Sequence, residues 1–325
     1  MVLESIFYIL FGFLLLVKGG DYLIDGSVSL AKRAKLSKMV IGIVVIGFGT
    51  STPELLVSTQ AAIIGSPGFA IGNVVGSNIA NIALILGVTS IICPLAADRM
   101  MLIRDMPFMM LAVLLLVIVG MSGDIYRWEG LMLIAILLSY VLYQIKTSRK
   151  NEKKNPTIVD SDFEKAPLTF WKALLLVIFS IAALIAGSNM LINGSADIAM
   201  KLGTALGVDV ATMERVIGLT IVAVGTSLPE LTATVMAARK NHVEMALGNI
   251  IGSVSFNILC VIGVASVVTP IHNTNTGFCF DYAVMLSLTV LLWYFLFTEH
   301  KLVRAEGWIL SILYLMYITR TLFIL

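Results

Sequence analysis

Charge is what this chain has least of. Only 13% of its 325 residues are Asp, Glu, Lys or Arg, whereas a soluble globular protein carries about 25%, so a surface wetted on all sides is not expected. Histidine occurs three times, at His242, His272 and His300, and cysteine three times, at Cys93, Cys260 and Cys279. The cysteines are odd in number, lack C-x-x-C spacing and lie in or beside apolar stretches. They read as small apolar filler rather than as a disulfide framework or a thiolate metal centre. The histidines fall near expected helix ends and read as interfacial. No H-E-x-x-H or G-x-S-x-G occurs, so no catalytic constellation is found and the chain is read as a non-enzyme without a cofactor. A net charge of +2 implies neither nucleic acid nor an acidic partner. The first apolar run, Ile6 to Val17, has no basic residue before it and continues into Lys18-Gly19-Gly20-Asp21. It reads as a retained membrane helix rather than a cleaved leader.

Apolar residues fill the space that charge leaves, making up 58% of the chain with a mean hydropathy of +0.97. Runs near 20 residues recur throughout, long enough to cross a bilayer and too many to hide in one soluble core. Breaks at charged and Gly/Pro-rich points predict helices at 5–31, 39–64, 69–94, 103–122 and 126–146, then five more from about 169, 214, 243, 280 and 305. Residues 147–167, polar and too short for a domain, read as a linker between a first unit at 1–146 and a second at 168–325.

The two units repeat one another. Gly42, Gly49-Thr50-Ser51, Pro53-Glu54-Leu55, Gly72-Asn73, Gly76-Ser77, Asn81, Gly87, Pro94 and Asp105 all recur 176 residues later, and the opening helices match at an offset of 168. Five helices per copy is an odd number, so the second copy enters the membrane upside down. The expected fold is an all-α integral membrane protein of ten transmembrane helices in two inverted-topology five-helix repeats. Seventeen of the 22 Lys and Arg lie in the loops after helices 1, 3, 5, 7 and 9. By the positive-inside rule that places the central linker in the cytoplasm and both termini outside a cell membrane.

Glu54 and Glu230 sit near the middle of otherwise apolar spans, where an ionised side chain costs about 2.5–3.5 kcal/mol on insertion scales. One such Glu is often a protonated carboxyl bonded to a neighbouring helix. Two at corresponding positions of an inverted repeat converge near the midplane, where repeat-built transporters hold their substrates. Pro53 and Pro229 lack the N–H that would bond the carbonyls of Gly49 and Gly225, so each helix is expected to open there. Thr50, Ser51, Ser77 and Asn81, with Thr226, Ser227, Ser253 and Asn257, lie at helical spacing around the carboxylates. Each alone would read as interhelical glue; repetition at one spacing reads as a binding site. Every donor in it is oxygen, the preference of hard cations such as Ca²⁺. Gly72-x-x-x-Gly76 and Gly248-x-x-x-Gly252 are expected to let their helices approach neighbouring backbones. Lys18 and Asp21, three apart, read as a snorkelling or paired set.

The motifs Gly49-Thr50-Ser51-Thr52-Pro53-Glu54 with Gly72-Asn73-Val74-Val75-Gly76-Ser77-Asn78, and Gly225-Thr226-Ser227-Leu228-Pro229-Glu230 with Gly248-Asn249-Ile250-Ile251-Gly252-Ser253, resemble the paired alpha-repeats of the Ca²⁺/cation antiporter superfamily, in its Na⁺/Ca²⁺ exchanger branch. The resemblance implies an antiporter working by alternating access within the lipid bilayer, with long first and sixth helices sliding across the core as a gate. It implies Ca²⁺ ligation by Glu54, Glu230 and the carbonyls of Thr50 and Thr226. Na⁺ would use Thr50, Ser51, Ser77, Thr226, Ser227 and Ser253 with the carbonyls of Gly47 and Ala223, and Asn81 and Asn257 would flank the centre. Val254 departs from the pattern, since Asn78 holds the matching place, and Gly47 corresponds to Ala223. An H⁺/Ca²⁺ antiporter of the same fold ranks second and a passive cation channel below it. Stoichiometry and oligomeric state stay open, a monomer among the options.

Overall fold

Backbone N–H and C=O groups in lipid have no water to bond, so each apolar run must close its own hydrogen bonds as a helix. The computed structural model describes residues 2–154, 168–205, 223–272 and 278–324, and there the chain is helical apart from short connections and four two-residue strands. Helices α1 (Val2–Ala34), α2 (Lys38–Thr50), α3 (Thr52–Ile63), α4 (Gly68–Ile92), α5 (Met101–Met121) and α6 (Arg127–Lys154) form the first part. Helices α7 (Phe170–Ala205), α8 (Ala223–Thr226), α9 (Leu228–Arg239), α10 (Val243–Val268), α11 (Cys279–Glu299) and α12 (Arg304–Ile324) form the second. Among the described residues seven helices are long and apolar enough to cross a membrane, and α2 with α3 makes an eighth as a span bent by 46°. The remaining two of the ten expected spans fall on α12, which is long but less apolar, and on α8–α9, whose approach at 206–222 lies outside the described residues.

The protein turns a soluble fold inside out. Leu10, Phe13, Ile118, Leu142 and Phe179 are exposed on its outside, while Thr50, Glu54, Asn81, Glu230 and Asn257 are buried. Helices α1 and α7 have 33 and 36 residues, roughly 50 Å each, more than a bilayer core of about 30 Å requires, so they are long enough to cross it even when tilted. They pack antiparallel along a seven-residue repeat of small side chains in which Ser5 faces Gly194, Gly12 faces Gly187, Gly19 faces Ser180 and Gly26 faces Ala173. A Cβ added at Gly12 would stand 2.7 Å from the Gly187 carbonyl oxygen, and one at Gly187 would stand 2.8 Å from that of Gly12. Only hydrogen fits at that crossing.

Two short antiparallel ladders join the halves. Strands β1 (Leu95–Ala96) and β4 (Lys301–Leu302) pair Leu95 with Leu302, and β2 (Asp124–Ile125) and β3 (Ile271–His272) pair Ile125 with Ile271. Leu95 and Ile271 are 176 residues apart and Asp124 and Lys301 are 177 apart, so the two ladders are copies of one another made from the repeated segments.

Several expectations change in detail. Asp21 does not pair with Lys18 but with Lys240 at the end of α9, whose Nζ lies 3.2 Å from Asp21 Oδ1 and 2.7 Å from Asp25 Oδ1. The basic residue that satisfies it is distant in sequence and adjacent in space. Helix α6 runs through Lys154, so the first part of the expected linker is helical; its residues favour helix as readily as loop, and Ser148 Oγ accepts the N–H of Ser37 at 2.8 Å. Residues 155–167 lie outside the described residues. The close approach expected of the two Gly-x-x-x-Gly pairs holds at Gly248 and Gly252, whose added Cβ atoms would meet the carbonyl oxygens of Met39 at 2.7 Å and Ile43 at 2.6 Å in α2. Gly72 meets only the Phe278 ring at 3.5 Å among the described residues; the segment matching Met39 to Ile43 of α2, 215–219, lies outside them. Cys93 and Cys260 are partly buried, as filler would be, but Cys279 is exposed at the start of α11.

Candidate functional site

Two carboxylates enter the interior because the helices that carry them begin there. The α2–α3 break falls at Ser51 (φ −83°, ψ 6°) and the matching break before α9 at Ser227 (φ −90°, ψ 5°). In each case a proline then occupies the first turn of a new helix, where its missing N–H costs nothing, and the following Glu54 or Glu230 is buried. The opening thus comes just before the prolines, as their spacing implied. One freed carbonyl is taken up: Gly225 O accepts a 2.5 Å hydrogen bond from Ser188 Oγ of α7.

Besides a π-helical turn at Met101–Asp105, three more carry or adjoin residues of this site, over Gly42–Gly47, Ala80–Ile85 and Asn257–Ile262. Each widens its helix by one residue and displaces carbonyls from the regular ladder, a feature frequent at functional sites. Asn81 lies in the second and Asn257 opens the third. Gly47 ends the first, and its carbonyl oxygen receives Ser51 N–H at 3.2 Å, Ser253 Oγ at 3.4 Å and Thr50 Oγ1 at 3.5 Å.

The hydrogen bonds run between the halves. Ser51 Oγ donates to Glu230 Oε1 at 3.2 Å, Thr50 Oγ1 reaches Asn249 Oδ1 at 3.4 Å, and Asn257 Nδ2 donates to Asn78 Oδ1 at 3.1 Å. Within the first half, Ser77 Oγ donates to Glu54 Oε1 across 3.5 Å. Thr50, Ser51, Glu54, Ser77, Asn81, Ser227, Glu230, Ser253 and Asn257 are all buried. Thr226 is half-buried on α8, and Ala223 opens that helix. The halves differ here, because Ser227 N–H bonds Val224 O, not Ala223 O, whereas Ser51 N–H bonds Gly47 O.

What the protein's own groups leave unmet includes five oxygens of these residues. Glu54 Oε2, Glu230 Oε2, Asn81 Oδ1, Asn257 Oδ1 and Ser227 Oγ are buried oxygens without a hydrogen-bond partner among the described residues. Leaving such a group unsatisfied costs about 1–3 kcal/mol, more for a charged one. Oxygen atoms gathered this way form a donor set for a hard cation. Among the described residues no third His, Cys, Asp or Glu joins the two carboxylates in one cluster.

Sequence reasoning missed Asn249, Thr234, Asn78 and Ser188 as parts of this network. Asn73 and Asn249 were visible as the second residue of a repeated Gly-Asn pair, a signal without an evident role until the helices packed. The π turns carry no compositional mark.

The description "Sodium/calcium exchanger protein" fits a family model matching residues 4–146 and 172–323. The sodium/calcium exchanger MaX1 of Methanosarcina acetivorans is 31% identical across 98% of both chains. The inner membrane protein YrbG of Escherichia coli is 30% identical across 86% of this chain and 85% of its own. Solved structures of the sodium-calcium exchanger NCX_Mj, soaked with Na⁺ and Ca²⁺ or with neither, superpose with a TM-score of 0.82 at 30% identity over 98–99% of this chain. The break–proline–glutamate units, their duplication and these likenesses across nearly the whole chain agree, and the chain belongs to the sodium/calcium exchanger protein family.

Proposed function

We propose that the protein exchanges Na⁺ for Ca²⁺ across the cell membrane by alternating access, with Glu54 and Glu230 as the shared anionic ligands. The observation that carries this reading is the cluster of buried, unpartnered oxygens from both halves. In this reading 1–146 and 168–325 are two five-helix repeats of opposite orientation, giving ten transmembrane helices, with 147–167 as a cytoplasmic linker and both termini outside. The duplicated ladders and the shared 176-residue offset support that arrangement.

Two carboxylates neutralise one Ca²⁺. The carbonyls of Thr50 and Thr226 add further ligands, and Ca²⁺ takes 6–8 oxygens in all. Na⁺ ions share the same carboxylates with Thr50, Ser51, Ser77, Thr226, Ser227 and Ser253 and the carbonyls of Gly47 and Ala223, so the two cations exclude one another. Asn81 and Asn257 flank the centre and keep it polar. A site open to one side at a time then moves the cations in opposite directions, with α1 and α7 as the moving gate.

Ca²⁺ uptake into proteoliposomes tests the coupling. Vesicles loaded with Na⁺ should accumulate Ca²⁺ and vesicles loaded with choline should not, even under an imposed pH gradient. Uptake driven by the pH gradient alone would assign proton coupling, and Ca²⁺ flux needing no counter-ion would assign a channel.

A further inference from the structure

Asn249, on α10, belongs to neither the carboxylates nor the hydroxyls assigned to cations, yet it touches both halves of the site. Its side chain is 1% exposed. Nδ2 donates to the Glu230 carbonyl oxygen at 3.3 Å and to Thr234 Oγ1 at 2.9 Å. Thr234 Oγ1 in turn donates to the same Glu230 carbonyl at 2.7 Å. With its amide nitrogen held by those two acceptors, the Asn249 oxygen is aimed at Thr50 Oγ1, 3.4 Å away in the first half. The matching Asn73 keeps one of these links, its Nδ2 donating at 2.9 Å to Oγ of Ser58, the counterpart of Thr234, but Ser58 Oγ donates onward to Ala70 O at 3.4 Å where Thr234 Oγ1 donates to the Glu230 carbonyl.

We infer that Asn249 is a positioning residue: it fixes the α9 turn that carries Glu230 and offers the Thr50 hydroxyl an acceptor from the opposite half at 3.4 Å, to which its proton can turn from the Ile46 carbonyl at 3.1 Å in its own helix. The choice of cation in this inference rests on the exchange reading. A threonine hydroxyl has one proton and two lone pairs. When the proton is given to Asn249, a lone pair is free to face a cation. Both ligands then depend on one amide, as ligands of a metal site depend on the groups that orient them.

The consequence is a dependence of affinity, more than of turnover, on this side chain. Purified Asn249→Ala should bind Ca²⁺ about 10- to 100-fold more weakly by titration calorimetry in Na⁺-free detergent, the usual effect of removing an orienting partner. In proteoliposomes its half-saturating Ca²⁺ should rise by the same factor, with exchange at saturating Ca²⁺ reduced less than threefold. Thr234→Val, which removes one of the two anchors of the amide, should shift affinity in the same direction by a smaller factor. Parent-like Ca²⁺ affinity in Asn249→Ala overturns the inference. So does an affinity loss accompanied by an equally large fall in thermal stability without Ca²⁺, which marks a purely structural role. Where Asn249→Ala does not fold, Thr234→Val decides, and parent-like affinity there overturns it. A parent protein that binds Ca²⁺ but does not exchange it for Na⁺ removes the exchange reading and leaves the binding comparison intact.

Discussion

At the scale of single residues, the site is an unresolved electrostatic debt held in place by packing. Glu54 and Glu230 each use one carboxylate oxygen in a long hydrogen bond and leave the other without a partner. Removing one charge of a buried, paired set costs about 2–5 kcal/mol, a factor of thirty or more in affinity. Glu54→Gln and Glu230→Gln should each lower Ca²⁺ affinity and exchange by at least that factor. Neither should lose stability in Ca²⁺- and Na⁺-free buffer, because the neutral amide relieves the buried like charges. The check is thermal unfolding with and without Ca²⁺: stabilisation by Ca²⁺ should disappear in both variants while the cation-free midpoint holds or rises. Asn257 allows a second expectation. K⁺-dependent exchangers, by the family resemblance, carry Asp at this position; here the side chain is neutral, with Nδ2 on Asn78 and Oδ1 unpartnered. Without a third carboxylate the site needs no additional cation. Exchange should run at similar rates in K⁺ and choline at clamped voltage, and a rate that collapses on K⁺ removal would contradict this.

At the scale of elements, the α1–α7 pair is constrained along its whole length. Its seam is spaced for direct backbone contact at Gly12 and Gly187, and an inserted side chain must push the two helices apart. Overpacking of a tight core costs about 1–3 kcal/mol, occasionally more. Gly12→Leu should lower the thermal midpoint measurably and slow exchange, while Gly68→Ala, where the nearest atom to an added Cβ is 4.0 Å away, should be near neutral in the same assay. Equal midpoints in the two variants would mean that the seam is not a contact under load. The helices themselves were legible from apolar run length and from the prolines at 53 and 229. The seam was not: Gly12, Gly19 and Gly26 show a seven-residue spacing in the sequence, but a spacing names no partner until Gly187, Ser180 and Ala173 come to face it.

At the scale of the whole molecule, each ladder fastens one half to the other, β1 to β4 and β2 to β3. Opposite orientation of the repeats would put the ladders on opposite faces of the membrane. Lys150, exposed near the end of α6, and Tyr126, exposed just before its start, test that arrangement. In a cysteine-free background, Lys150→Cys should resist an impermeant maleimide on intact cells and react in inside-out vesicles, and Tyr126→Cys should do the reverse. Labelling of both from the same side would contradict the proposed topology.

The sequence by itself determined that the chain is helical, that apolar faces point to lipid, that two copies of one unit are present and that each copy brings a proline–glutamate pair into the interior. Those properties are local or periodic, written in run length, repeat offset and the chemistry of proline. Only the tertiary structure decided which groups meet: Ser51 with Glu230, Thr50 with Asn249, Asp21 with Lys240, Ser188 with the freed carbonyl of Gly225. Each joins segments far apart in the chain, and packing chooses the partner of a buried polar group, because it decides which donors and acceptors come within reach.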